Sequence, residues 1–172
     1  MTGEQDRADQ DRADQDWTGR VAVVTGGGSG IGRSLVRRFA AQAMSVVVAD
    51  IDEPAAQAVA DALVADGLLV DGAEARAMGV DVSSATAVEE LAATSVERLG
   101  GVHLVCNNAG VSAGGLSWEM PLSDWQWVLE VNLWGVIHGV RSFVPRIVAS
   151  GGGHVVNTAS MAGLTSPPYM SP

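Results

Sequence analysis

Two features have the residue types and spacing to do chemistry: a glycine-rich turn over residues 25–32, Thr25-Gly26-Gly27-Gly28-Ser29-Gly30-Ile31-Gly32, and the carboxylate of Asp50, 20 residues beyond Gly30. The turn follows an apolar, strand-like run and opens a helix-patterned stretch. Backbone N–H groups and the positive end of a helix dipole then meet where a pyrophosphate would be held. Without a Cβ the chain can approach such a group closely. The spacing is T-G-x-x-x-G-x-G, with Ile31 standing where the third glycine of G-x-G-x-x-G belongs. Taken alone, the turn also reads as a simple tight turn. Asp50 closes the second strand-like run, where a carboxylate accepts hydrogen bonds from the adenosine ribose; a polar strand end is its alternative. Together they predict that Thr25, Gly26, Ser29, Gly30, Ile31, Gly32 and Asp50 bind a dinucleotide. NAD is expected over NADP, because Asp50 repels a 2′-phosphate and none of Ser29, Ile51 and Asp52 is basic. Hydride transfer is what such cofactors most often serve.

The elements that must hold these residues alternate along the chain. Strand-like apolar runs occupy 20–25, 45–50, 75–80, 103–107 and 154–159. Between the first two, Ile31, Leu35, Val36, Phe39 and Ala43 recur at helical spacing. Residues 54–66 and 84–99 are Ala-rich; Pro54 suits a first helical turn, and Ser83 or Ser84 could cap. Residues 122–150 read as one long helix stopped by Gly151-Gly152-Gly153, with a kink expected at Pro145. Alternation of this kind predicts an α/β fold: a Rossmann-type, doubly wound parallel sheet with right-handed crossovers and helices on both faces.

With 172 residues, 47% of them hydrophobic, the sequence is long enough for one domain with a real core. A net charge of −10 argues against a nucleic-acid or anionic-membrane partner, since both need a basic face. Residues 1–16 carry the repeated unit Asp-Arg-Ala-Asp-Gln and no large apolar side chain, which predicts a disordered acidic tail, or alternatively a functional acidic arm, ahead of a domain over 17–172. There is no signal-like start and no apolar run long enough to span a membrane, so a cytoplasmic protein is expected. The lone Cys106 reads as a buried packing thiol, and no metal site is expected.

The motifs resemble those of the short-chain dehydrogenases/reductases, from about residue 17 to the end of the chain. The glycine turn is joined by Asp81-Val82, Asn107-Asn108-Ala109-Gly110, Val131-Asn132-Leu133 and Asn157-Thr158-Ala159-Ser160, in the family's order and spacing. The resemblance implies that Asp81 and Val82 contact the adenine ring and that Asn108, Ala109 and Gly110 line the cofactor's ribose. A common strand-end turn is the plain alternative for that last segment. Asn132, an amide in the apolar stretch 128–140, is implied to support a proton relay and needs hydrogen-bond partners. Ser160 is implied to polarise the oxygen of a small alcohol or carbonyl substrate, against the plain reading of a cap or turn serine.

In the family the general acid/base is a tyrosine about 13 residues after that serine, tuned by a lysine four residues on. That position falls one past Pro172, the chain contains no lysine, and its sole tyrosine, Tyr169, is nine residues after Ser160. The expectation is a chain truncated before the Tyr-x-x-x-Lys motif, with five of the usual seven or so strands, a cofactor cradle and no turnover of its own. An NAD-binding module without catalysis, or a gene fragment, is the alternative. Full-length members assemble as homo-oligomers, and the partner face of the long helix, around Trp125, Trp127 and Trp134, is expected to be bare. Residues 112–118 and 164–169 suggest a partly apolar substrate.

Overall fold

The computed structural model describes residues 17–70, 72–165 and 168–169; the expected acidic tail lies outside them. Five parallel strands, β1 (Val21–Thr25), β2 (Ser45–Asp50), β3 (Ala75–Gly79), β4 (Leu104–Asn107) and β5 (His154–Asn157), form one sheet in the order β3-β2-β1-β4-β5. Val21 pairs with Ser45 and Thr25 with Ala49, while Val24 pairs with Cys106 and Cys106 with Val156. The chain winds outward from β1 in both directions, so the C-terminal ends of β1 and β4 flank the crevice where open α/β sheets bind ligands.

The central strands read as unbroken apolar runs because both their faces are buried. On one face Ala22, Val24, Val46 and Val48 meet α1 (Gly30–Ala40) and α2 (Glu53–Ala65) through Val36, Ala40, Ala56 and Leu63. On the other, Val23, Val47 and Val105 meet α3 (Ala85–Leu99) and the C-terminal part of the long helical segment through Val88, Leu91, Phe143 and Ile147. Cys106 is buried among the first group, and desolvation pushes its thiol up to about 11, as a packing residue should be.

Local chemistry sets the helix starts. Asp52 caps α2 by accepting the Ala55 N–H at 3.0 Å, with Pro54 in the first turn. Of the two candidate serines, Ser84 caps α3, accepting the Ala87 N–H at 3.3 Å, and Gly100 ends it in the left-handed conformation. Two details depart from the periodicity. Ile31 is exposed rather than part of the α1 core stripe, and α1 ends at Ala40, leaving Ala43 outside it with φ +62. Residues 122–150 are not one regular helix: α4 (Leu122–Leu129) passes into a π-helical turn (Glu130–Trp134) and then α5 (Gly135–Ala149). The Gly135 N–H reaches back five residues to the Glu130 carbonyl, and α5 continues through Pro145. The break in α geometry therefore lies three turns before the proline. Among the described residues after β5 there is one helix, the four-residue α6 (Ala162–Thr165). No helix among the described residues is long and apolar enough to cross a membrane.

Candidate active site

Above the C-terminal ends of β1, β2 and β4 lies an open cleft of about 420 Å³. One wall is the glycine turn with the first turn of α1: Gly26, Ser29, Gly30, Ile31 and Gly32. Asp50, Ile51, Val80, Asp81 and Val82 bound one end; Asn108, Ala109, Gly110, Val111 and Thr158 bound the other. Eleven of the fourteen residues expected at a site thus meet in one cleft; Thr25, Asn132 and Ser160 do not line it.

The turn has its shape because nothing larger than glycine fits at its tightest point. A Cβ on Gly32 would lie 1.9 Å from the Gly26 carbonyl oxygen and 2.7 Å from Asn108 Nδ2. Gly26 itself has φ +65, and a Cβ there would lie 2.9 Å from Ala109 Cα. The N-cap Ser29 makes no side-chain cap, α1 has no acidic residue in its first turn, and Arg37 and Arg38 occupy its last turn. Its leading N–H groups and dipole are therefore uncompensated by carboxylate and suited to an anion. Asp50 is tied into the same unit: Oδ2 accepts the Gly28 N–H at 2.9 Å and Oδ1 the Asp52 N–H at 3.1 Å, and each oxygen retains accepting capacity toward the cleft.

Thr25 serves the site from behind. Only 4% exposed, it accepts the N–H groups of Asn108 (3.0 Å) and Ala109 (3.1 Å) and donates to the Cys106 carbonyl (3.3 Å), clamping β1 to β4. The hydroxyl is thus spent inside the protein, and Thr25 does not line the cleft. Asn108 extends the clamp, with Nδ2 donating to the Thr25 carbonyl at 3.0 Å and Oδ1 accepting from Thr158 Oγ1 at 3.1 Å. Thr158, in the Asn157–Ser160 motif, links β5 to this network through its hydroxyl. Asp81 Oδ1 accepts both the N–H (2.9 Å) and the hydroxyl (2.7 Å) of Ser83, a turn that fixes it at the rim.

Asn132 sits in the π turn, and its side chain is exposed rather than buried as the apolar stretch suggested. Its amide pairs twice with Val111, Oδ1 accepting the N–H at 2.9 Å and Nδ2 donating to the carbonyl at 2.8 Å. The requirement for partners is met by backbone, and the segment after β4 is pinned to the helix. Ser160 is exposed, its Oγ accepts the Ala162 N–H at 3.1 Å at the start of α6, and it does not line the cleft. Tyr169 is 65% exposed. Close helix packing supports the cleft floor: a Cβ on Gly139 would lie 2.0 Å from Asn107 Oδ1, and one on Gly135 2.9 Å from Val82 Cγ2. Asn107 in turn donates to Asn157 Oδ1 at 2.8 Å.

A family model described as short chain dehydrogenase matches residues 20–172. The chain belongs to the short-chain dehydrogenase family. It is 43% identical over 146 residues to 1-deoxy-11-beta-hydroxypentalenate dehydrogenase of Streptomyces arenae, covering 83% of this chain and 50% of that protein. Against cyclohexanol dehydrogenase of an Acinetobacter species it is 40% identical over 146 residues, covering 84% and 56%. Among solved structures, a short-chain dehydrogenase/reductase from Burkholderia phymatum in complex with NAD superposes with a TM-score of 0.85 at 46% identity, over 91% of this chain and 54% of the other. The chain spans about half the length of the curated relatives it matches.

Proposed function

We infer that these residues bind NAD and that the protein they belong to is an oxidoreductase moving hydride between NAD(H) and a small alcohol or carbonyl compound. The observation that carries this is the cradle at Gly32, where the backbone leaves no room for a Cβ beside an α1 N-terminus that opens into the cleft. Such a cradle fits a dinucleotide pyrophosphate. The named dehydrogenases and the NAD-bound relative support the same reading.

When bound, the nicotinamide ring supplies the hydride donor or acceptor. The chain's own part is to bind and orient. The amides of residues 30–32 hold the pyrophosphate, and Asp50 accepts from the adenosine ribose hydroxyls. The carboxylate also selects against a 2′-phosphate by like-charge repulsion, with no basic side chain among the described residues lining the cleft to offset it. Asp81 and Val82 bound the base end, while Asn132 holds Val111 and with it the wall of the opposite end. Ser160 Oγ, while accepting the Ala162 N–H, still carries an O–H that can donate to a substrate oxygen. Exposed Trp118 and Leu164 favour a substrate with apolar surface.

The 172-residue polypeptide binds NAD without efficient turnover, because Tyr169 is exposed and no lysine is present to tune it. Loss of a general acid/base costs about 10²- to 10⁴-fold in rate. The test is NADH formation by this polypeptide across a panel of secondary alcohols, alongside NAD titration. Binding with turnover at or near background is expected; turnover at ordinary dehydrogenase rates would contradict the assignment of the acid/base.

A further inference from the structure

The cleft's lining contains one aromatic side chain among the described residues, Trp127 on α4, and neither the sequence motifs nor the cradle accounts for it. It is 47% exposed, a large indole left half in water at the rim of a binding cleft. Val131, one helical turn on, also lines the cleft and packs against the core cluster that contains Val80 and Val82. Further along the same segment, Gly135 packs against Val82, and His138 Nδ1 lies 3.0 Å from the Val82 carbonyl oxygen. The segment is therefore seated on Val82, and its preceding turn brings Trp127 to the same cleft that Asp50, Ile51, Asp81 and Val82 line. Asp50 would take the adenosine ribose in that cleft.

We propose that Trp127 is a binding residue for the adenine of the dinucleotide, its indole covering the base that Val82 and Val131 flank. The proposal rests on the NAD reading and deepens it. A purine presents a π face that an indole covers with little geometric demand, so the contact adds affinity without selecting the nicotinamide-side chemistry. A phenyl ring at the same place keeps most of that contact, whereas a methyl group loses it.

The experiment titrates NAD and ADP-ribose, which lacks nicotinamide, into the wild type, Trp127→Ala and Trp127→Phe, with circular dichroism confirming that each is folded. Trp127→Ala is expected to weaken NAD and ADP-ribose by the same factor, about tenfold, with Trp127→Phe within about threefold of wild type. Unchanged affinity in Trp127→Ala overturns the proposal while leaving the NAD reading intact. A loss for NAD without a loss for ADP-ribose overturns it too, by moving the indole to the nicotinamide end. If the wild type binds neither ligand, the NAD reading itself fails, and the proposal with it.

Discussion

Thr25 accepts two backbone N–H groups, those of Asn108 and Ala109, in the junction between β1 and β4, and it does so in the interior. Thr25→Val keeps the shape and strands both donors, which costs about 1–3 kcal/mol and lowers Tm by roughly 3–10 °C, whereas Thr25→Ser stays near wild type. Thermal unfolding of the two variants checks this. His103 gives a second prediction. Its Nδ1 accepts the Val21 N–H at 3.1 Å, and burial, with Arg20 nearby, lowers its pKa below the usual 6.5. Between the lowered value and 6.5 the unfolded chain binds more protons, so stability falls as pH drops through 6.5 and is regained above it. Tm should therefore fall more steeply between about pH 7.5 and 5.5 in the wild type than in His103→Asn. At this scale the glycines and Asp50 were legible because their types are forced by close approach and charge. The role of Thr25 was not, since a hydroxyl turned inward and one turned to a ligand look alike in sequence.

The long helical segment shows what periodicity conveys about an element and what it omits. The apolar spacing over 122–150 marked the helix correctly, but the single wide turn at Glu130–Trp134 leaves the pattern of apolar residues nearly unchanged. Only the backbone reveals the π turn around Asn132, while α5 is continuous through Pro145. Downstream of it, α5 must approach β4 closely enough for Gly139 to lie on Asn107. Gly139→Ala forces the Asn107 side chain off Asn157, and we expect it to destabilise the domain by about 2–4 kcal/mol in denaturant unfolding, against well under 1 kcal/mol for an exposed site such as Val140→Ala. Strand ends were readable to within two residues because β-branched runs stop where the chain turns polar.

Across the whole molecule the two buried faces of the sheet account for the fold, and the alternation of apolar runs was enough to foresee a parallel, doubly wound sheet. What the pattern could not supply was the balance of exposed surface. Trp127, Leu133 and Trp134, with Val144, Val148 and Val156 further along, stay substantially exposed. Sedimentation of the 172-residue polypeptide should show concentration-dependent association at micromolar levels, reduced in Val144→Glu with Val148→Glu. The central claim, that the glycine turn and Asp50 form a cradle for NAD, is tested most directly by calorimetric titration of NAD and NADP into the wild type and Gly32→Ala. The account predicts saturable one-to-one binding of NAD, NADP weaker by about tenfold or more, and no NAD binding by Gly32→Ala. Equal NAD affinity in Gly32→Ala, or NADP bound more tightly than NAD, would contradict it.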